Sequence, residues 1–353
     1  GFHHCSIGFC FCPISCRIVS CIEMDIESAK GEWKGQGRQG LLNQVFYNEY
    51  GKPIADYPIN TFFTAPRLPS NGIPWMVPKS DFFNTEKLNP EWSFLGYTPD
   101  DKYSLTDRSG WLRLSPKNNK MNNVTKNDGE HNYSLITRLE FDATTPMDEA
   151  GLTIFRGDEK MFVKLASTKN ENHQKTIRFS FDNKKYEIQI NKGNILWLKI
   201  IRVNHVVEGF YSLDGNNWIK VGESFNISEI DSYSDFTSFT GTRQGLFVQG
   251  SNDAYFDLYI YRDAYSPILA ECPANHYGTS VSSYTQELKV LDSIHNNDWA
   301  LFAGIEFGNT EYPKTPKTIE ITASGMNNGG IVEVWLDSID TGTKIAECII
   351  SGT

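Results

Sequence analysis

Two-residue periodicity constrains this chain more than any other feature. In "TIRFSFDNKKYEIQI" the apolar residues Ile177, Phe179 and Phe181 alternate with polar ones, "DNKK" intervenes, and Tyr186, Ile188 and Ile190 take up the alternation again. Successive side chains of a strand point to opposite faces, so two such runs around a short polar segment predict a β-hairpin with one face buried. "WLKIIRVNHVVEGFYSLDGNNWIKVG" repeats the pattern, with Asp214-Gly215 as a turn able to take positive φ. In "AYFDLYIYR" the alternation places Phe256, Leu258 and Ile260 on one face. Helical periodicity is nearly absent, and short strands with closely spaced turn signals predict an all-β chain built around a β-sandwich.

The 353 residues suit two or three domains. Alternating strands end at Tyr261, and Pro267 precedes a new start, so a boundary falls near "RDAYSPILAE". Beyond it, "KTIEITASGMNNGGIVEVWLDS" predicts a hairpin around "NNGG" in a module short for a closed sandwich. Four prolines between residues 66 and 78 preclude a regular ladder and predict an extended connector. The first 30 residues differ from the rest: Cys5, Cys10, Cys12, Cys16 and Cys21 crowd together, whereas only Cys272 and Cys348 follow. Their spacings include no Cys-x2-Cys knuckle, so a disordered or mis-specified terminal segment is preferred over a zinc site. The body of the chain does not depend on a disulfide framework.

Charge narrows the choice of partner. Lys plus Arg number 33 against 43 Asp plus Glu, a net charge of −10, which disfavours a phosphate backbone, so no nucleic-acid partner is expected. No apolar run reaches bilayer-spanning length and no signal peptide is visible, so no membrane partner is expected either. The acid pairs Asp100-Asp101, Asp148-Glu149 and Asp158-Glu159 could in principle serve acid/base chemistry, but each sits at a turn and reads as a solvated loop tip. His131, His173, His205, His276 and His295 are scattered singly and read as surface histidines. The sequons at Asn123, Asn132 and Asn226 matter only in a glycosylating pathway. Aromatic residues make up 13% of the chain, with tryptophans spread from Trp33 to Trp335, a mix suited to stacking against sugar C–H faces if it does not simply fill the core.

"NPEWSFLGYTPDDKYSLTDRSGWLRL" carries a resemblance. Tyr103-Ser104-Leu105-Thr106-Asp107-Arg108 and Gly110-Trp111-Leu112-Arg113-Leu114 are similar to the start of the concanavalin A-like accessory sandwich of glycoside hydrolase family 43. "GFYSLDGNNWIKVG" and "FTGTRQGLFVQGSNDAYFDLYIY" resemble closing strands of that module. Upstream, "GEWKGQGRQGLLNQVFYNEYGKPI" is similar to the last blade of the family's five-bladed catalytic propeller, which implies a substrate-contacting role for Arg38. "GFHHCSI" resembles a Gly-x-His segment and implies an active-site role for His4. Downstream, "ILAECPANHYGTSV" and "NNDWALFAGIEFGN" are similar to a family 6 carbohydrate-binding module, implying sugar contact by Trp299 and a structural calcium ligand in Glu271.

The expected order is an anomalous Cys-rich segment at 1–30, a remnant of the last propeller blade at 31–65, a Pro-rich linker at 66–88, the accessory sandwich at 89–264, and a truncated jelly-roll binding module at 268–353. Family 43 enzymes invert, with acid and base roughly 6.5 to 9.5 Å apart. The resemblance places those acids N-terminal to anything here, so no catalytic residue is assigned and no catalytic cofactor is implied. The implied function is the C-terminal part of a modular β-xylosidase or α-L-arabinofuranosidase acting on plant cell-wall xylan or arabinoxylan. Its complete form is expected to be secreted, periplasmic or at the cell surface. The alternative is a free-standing, non-catalytic carbohydrate-binding or structural sandwich.

Overall fold

The computed structural model describes residues 17–23, 39–55, 78–118, 120–128, 131–156, 161–191, 193–232, 241–271, 273–285, 289–323, 330–339 and 341–350. Residues 1–306 and 307–353 form two compact units, so the stretch expected as one module, 268–353, is divided between them. Near the N-terminus, β1 (Arg17–Glu23), β2 (Gln39–Tyr47) and β3 (Pro53–Ala55) make a three-stranded antiparallel sheet. Part of the Cys-rich run is therefore paired backbone, and the leucine-rich segment after Arg38 forms β2.

The sandwich strands are β4 (Ser93–Phe94), β5 (Tyr103–Ser104), β6 (Leu112–Leu114), β7 (Asn122–Asn127), β8 (Asn132–Glu140), β9 (Glu149–Arg156), β10 (Phe162–Lys169), β11 (Lys175–Phe181), β12 (Lys184–Gln189), β13 (Ile195–Val203), β14 (Val206–Ser212), β15 (Ile219–Lys220), β16 (Phe225–Asn226), β17 (Thr242–Gln249) and β18 (Ala254–Tyr261). One sheet runs β12-β11-β10-β9-β17-β7-β4; the other runs β15-β14-β13-β8-β18-β6-β5, with β16 also on β14. A single helical turn, α1 (Ser228–Ser232), follows β16.

The expected hairpins are present. β11 and β12 pair with Phe181 opposite Lys184, so Asp182 and Asn183 alone form the turn and both lysines of "DNKK" enter the strand. Gly215 takes φ of 73° between β14 and β15, where an added Cβ would lie 2.8 Å from the Trp197 ring. The sandwich also begins earlier than residue 89: Asp81 bridges Tyr259, and Phe83 is buried in the core.

β18 departs from its simple alternation. A bulge between Phe256 and Leu258 shifts the register against β8, so Tyr259 lies opposite Thr137 and Tyr261 opposite Leu135. Phe256, Tyr259 and Tyr261 consequently join the core cluster, and Leu258 and Ile260 are buried on the other face. An extra residue on one strand reverses the facing of everything after it, which alternation alone does not reveal.

Two further expectations are corrected. Asp148 and Glu149 are buried, not solvated. Asp148 accepts hydrogen bonds from Thr144, Thr145 and Ser251, and Glu149 pairs with Lys164 and Arg178. Burial works against the Asp148 charge, but these donors more than offset it and hold the pKa well below the usual carboxylate range. Asp100-Asp101 is exposed as expected, and Asp158-Glu159 lies outside the described residues.

His131 and His205 are likewise not simple surface groups. At one end of the sandwich Arg202 pairs with Asp128 at 2.7 Å and Asp231 at 2.5 Å. His205 Nδ1 lies 2.8 Å from the second oxygen of Asp231, and the Tyr133 hydroxyl donates to Asp128 at 2.7 Å. Burial, then the charges of Arg202 and His205, push the His131 pKa down to about 3. The unfolded histidine takes its proton near 6.5, so below that pH the unfolded chain binds one proton more than the folded one. This contribution is complete above about pH 6.5 and is lost as pH falls toward 3. Urea unfolding at pH 6.5 and pH 5 is expected to show a loss of about 1–2 kcal/mol that His131→Asn removes. An equal loss in the variant would contradict this assignment.

Downstream, β19 (Asn275–Tyr277) pairs with β22 (Trp299–Leu301), and β20 (Ser280–Ser283) with β21 (Lys289–Asp292). In the second unit, β23 (Gly330–Leu336) pairs with β24 (Thr343–Ile350). The turn of that hairpin follows Leu336, whereas the sequence suggests "NNGG"; residues 318–323 form no strand.

Candidate functional site

The "YSLTDRSGWLRL" motif acts in this structure as a brace. Ser104 Oγ accepts the backbone N–H groups of Thr106 and Asp107, and Gly110 takes φ of 74°, so the chain turns sharply into β6. Leu112 and Leu114 then face the core while Arg113 pairs with Asp107 at 2.5 Å. The Arg108 guanidinium lies 3.7 Å over the Trp111 ring and pairs with Glu140 at 2.5 Å. Arg138, paired with Asp257, lies between Trp111 and Trp197, 5.6 and 5.8 Å from their centroids.

The same arrangement recurs at other tryptophans. Lys126 sits 4.6 Å over Trp92, whose Nε1 donates to Asp81, and Lys199 sits 4.5 Å over Trp218. Trp335 has Lys344 at 6.0 Å. A cation on an indole face is attracted to the ring quadrupole and occupies the surface on which a sugar would stack. These tryptophans therefore brace the fold more readily than they bind a ligand.

Trp299 differs. It stands opposite Tyr277 across the β19–β22 pair, and the rings lie 6.4 Å apart at an angle of 19°. Tyr277 is 65% exposed and Trp299 half-buried. Asp298 places the pair: its Oδ2 accepts the His295 N–H at 2.7 Å, and its Oδ1 lies where a Cβ on Gly278, at φ of 77°, would be. The "NNDW" turn thus fixes the start of β22, while Gly278 lets β19 end against it. Two near-parallel aromatic faces can stack against the C–H face of a pyranose.

Of the residues singled out in the sequence, Trp299 is thereby placed beside Tyr277. Tyr277 is its unanticipated partner; three-residue strands carry too little periodicity to announce the pairing. Arg38 and His4 lie outside the described residues. Glu271 lies in the turn before β19. Among the described residues no group of three or more His, Cys, Asp or Glu side chains could hold a metal. A calcium ion at Glu271 would draw most of its roughly six to eight oxygens from backbone carbonyls, amides or water.

An antiparallel two-sheet sandwich with its core closed by an aromatic-braced entry turn defines a concanavalin A-like domain. Residues 80–262, just over half of the chain, match the family described as "Beta xylosidase C-terminal Concanavalin A-like domain". The chain belongs to that family.

Among curated relatives, a non-reducing end alpha-L-arabinofuranosidase of Bacteroides ovatus is 23% identical over 258 residues, 68% of this chain and 47% of its own length. A xylan 1,3-beta-xylosidase of Vibrio sp is 25% identical over 216 residues, 56% of this chain and 40% of its own length. The chain thus spans about half the length, or less, of these two relatives. The solved xylan beta-1,4-xylosidase of Bacillus halodurans shares the fold with a TM-score of 0.55 at 22% identity, covering 70% of this chain and 50% of its own.

Proposed function

We propose that the chain is the C-terminal part of a modular family 43 glycoside hydrolase, a β-xylosidase or α-L-arabinofuranosidase, whose complete form acts on xylan or arabinoxylan. The observation that carries this reading is the concanavalin A-like sandwich over residues 80–262. The names of the two relatives, an arabinofuranosidase and a xylosidase, support the substrate class. The buried acids of the sandwich are each tied to cations or hydroxyls, so its contribution is scaffolding and not acid/base chemistry. A polymeric cell-wall substrate is met outside the cell, which favours a secreted, periplasmic or cell-surface protein. Among the described residues no helix is long and apolar enough to cross a membrane.

The Tyr277–Trp299 pair favours sugar binding as a second role, which a free-standing binding protein would share. Xylooligosaccharide titration followed by tryptophan fluorescence is expected to saturate. Trp299→Ala and Tyr277→Ala should each weaken binding about tenfold, or about 1.4 kcal/mol, while Trp218→Phe leaves it unchanged. An absence of saturable change in the parent chain would remove the binding role and leave the scaffold.

A further inference from the structure

Three sequons occur in the chain, and the fold treats them differently. Asn123 lies in β7, fully buried, and its Thr125 hydroxyl donates to the Ser93 carbonyl at 3.3 Å. Asn132 begins β8, which runs between β13 and β18 inside the sheet. It is 8% exposed, its Oδ1 accepts the Asn204 N–H at 2.9 Å, and its carbonyl faces the Arg262 guanidinium. A branched, hydrated oligosaccharide on either amide would have to occupy space filled by neighbouring strands and would leave buried polar groups without partners.

Asn226 is the exception. It closes the two-residue strand β16, which pairs only with β14, and it is exposed while its neighbours Phe225 and Ile227 are buried. Its Oδ1 accepts the Ser228 N–H at 2.9 Å, which leaves Nδ2 as the amide atom open to solvent. Ser228, the third residue of the sequon, is itself partly exposed at the start of α1.

We propose that Asn226 is an N-glycosylation site, and that the fold admits a glycan at this sequon alone. The donor is a lipid-pyrophosphate-linked oligosaccharide acted on by an oligosaccharyltransferase. Nδ2 forms a bond to the anomeric carbon, the bond from that carbon to the pyrophosphate oxygen breaks, the lipid pyrophosphate leaves with the electron pair, and one amide proton passes to a base. No oxidation or reduction is involved. A glycan here also shields the edge of the eight-stranded sheet, where β15 and β16 leave β14 only briefly covered. The inference does not depend on which sugar the complete enzyme releases.

The test is secretion of the 353-residue chain from a eukaryotic host behind a heterologous signal sequence. The soluble, folded product is then treated with peptide N-glycosidase in heavy-oxygen water and its peptides are mapped by mass. Heavy aspartate is expected at 226, with Asn123 and Asn132 unlabelled. Asn226→Gln and Ser228→Ala should each abolish the mobility shift. Folded product with no label at 226, or with label at 123 or 132, would overturn the proposal, as would a mobility shift that survives in both variants.

Discussion

Replacing Arg202 by Met lowers the stability of the sandwich by about 3–5 kcal/mol. The guanidinium is fully buried and holds two carboxylates, Asp128 and Asp231, that are themselves almost wholly inside the protein. Burial opposes its charge, but Tyr133, Asp128 and Asp231 raise its pKa above that of free arginine, so the guanidinium stays charged in the folded chain. Methionine fills much of the stem's volume yet removes the cation that the two buried carboxylates share, leaving Tyr133 on Asp128 and His205 on Asp231, and this dominates the loss. Urea unfolding should therefore show a smaller deficit at pH 5 than at pH 7, because an uncompensated buried carboxylate takes up a proton more readily. Adding Asp128→Asn and Asp231→Asn should restore part of the loss. A deficit below about 1 kcal/mol would place this cluster among surface ion pairs and contradict the burial argument.

Phe179→Ala should cost a similar amount, about 3–5 kcal/mol. Phe179 lies on β11 of one sheet, packs on Phe225 with centroids 4.7 Å apart, and reaches across to β14 of the other sheet. There Gly209 makes room for it: a Cβ on Gly209 would sit 2.8 Å from the Phe179 ring. Gly209→Ala alone should be destabilising through overpacking, by about 1–3 kcal/mol. The double variant should lose less than the sum, since the alanine methyl partly fills the space vacated by the ring. Strict additivity in a double-mutant cycle would mean that these residues do not share one packing site.

How much of this could be read from the chain depends on the range over which each interaction acts. Hairpins such as that joining Lys175–Phe181 to Lys184–Gln189 are local, and their alternation and turn residues mark them directly. The entry motif from Tyr103 to Leu114 was legible through its resemblance to the family, and part of it is local: Ser104 accepts from Thr106 and Asp107, and Arg108 lies over Trp111, although Arg108 also pairs with the distant Glu140. The facing of Leu258 and Ile260 was not, because the bulge is defined against β8, more than a hundred positions earlier. Nor was the burial of Asp148-Glu149, whose partners include Ser251, Lys164 and Arg178, or the capture of His205 by Asp231. The "NNDW" turn before Trp299 is a local feature, whereas Tyr277 came beside Trp299 only when the two short strands were paired.

On the proposed function, the sandwich serves a family 43 glycosidase without supplying its catalytic acids. Hydrolysis of nitrophenyl β-xyloside and α-L-arabinofuranoside by the purified 353-residue chain, beside the longest product of its gene, tests this most directly. Release of nitrophenol by the longer product alone is the predicted result. Release by the 353-residue chain itself would contradict the account, because an acid and base pair would then have to lie within it.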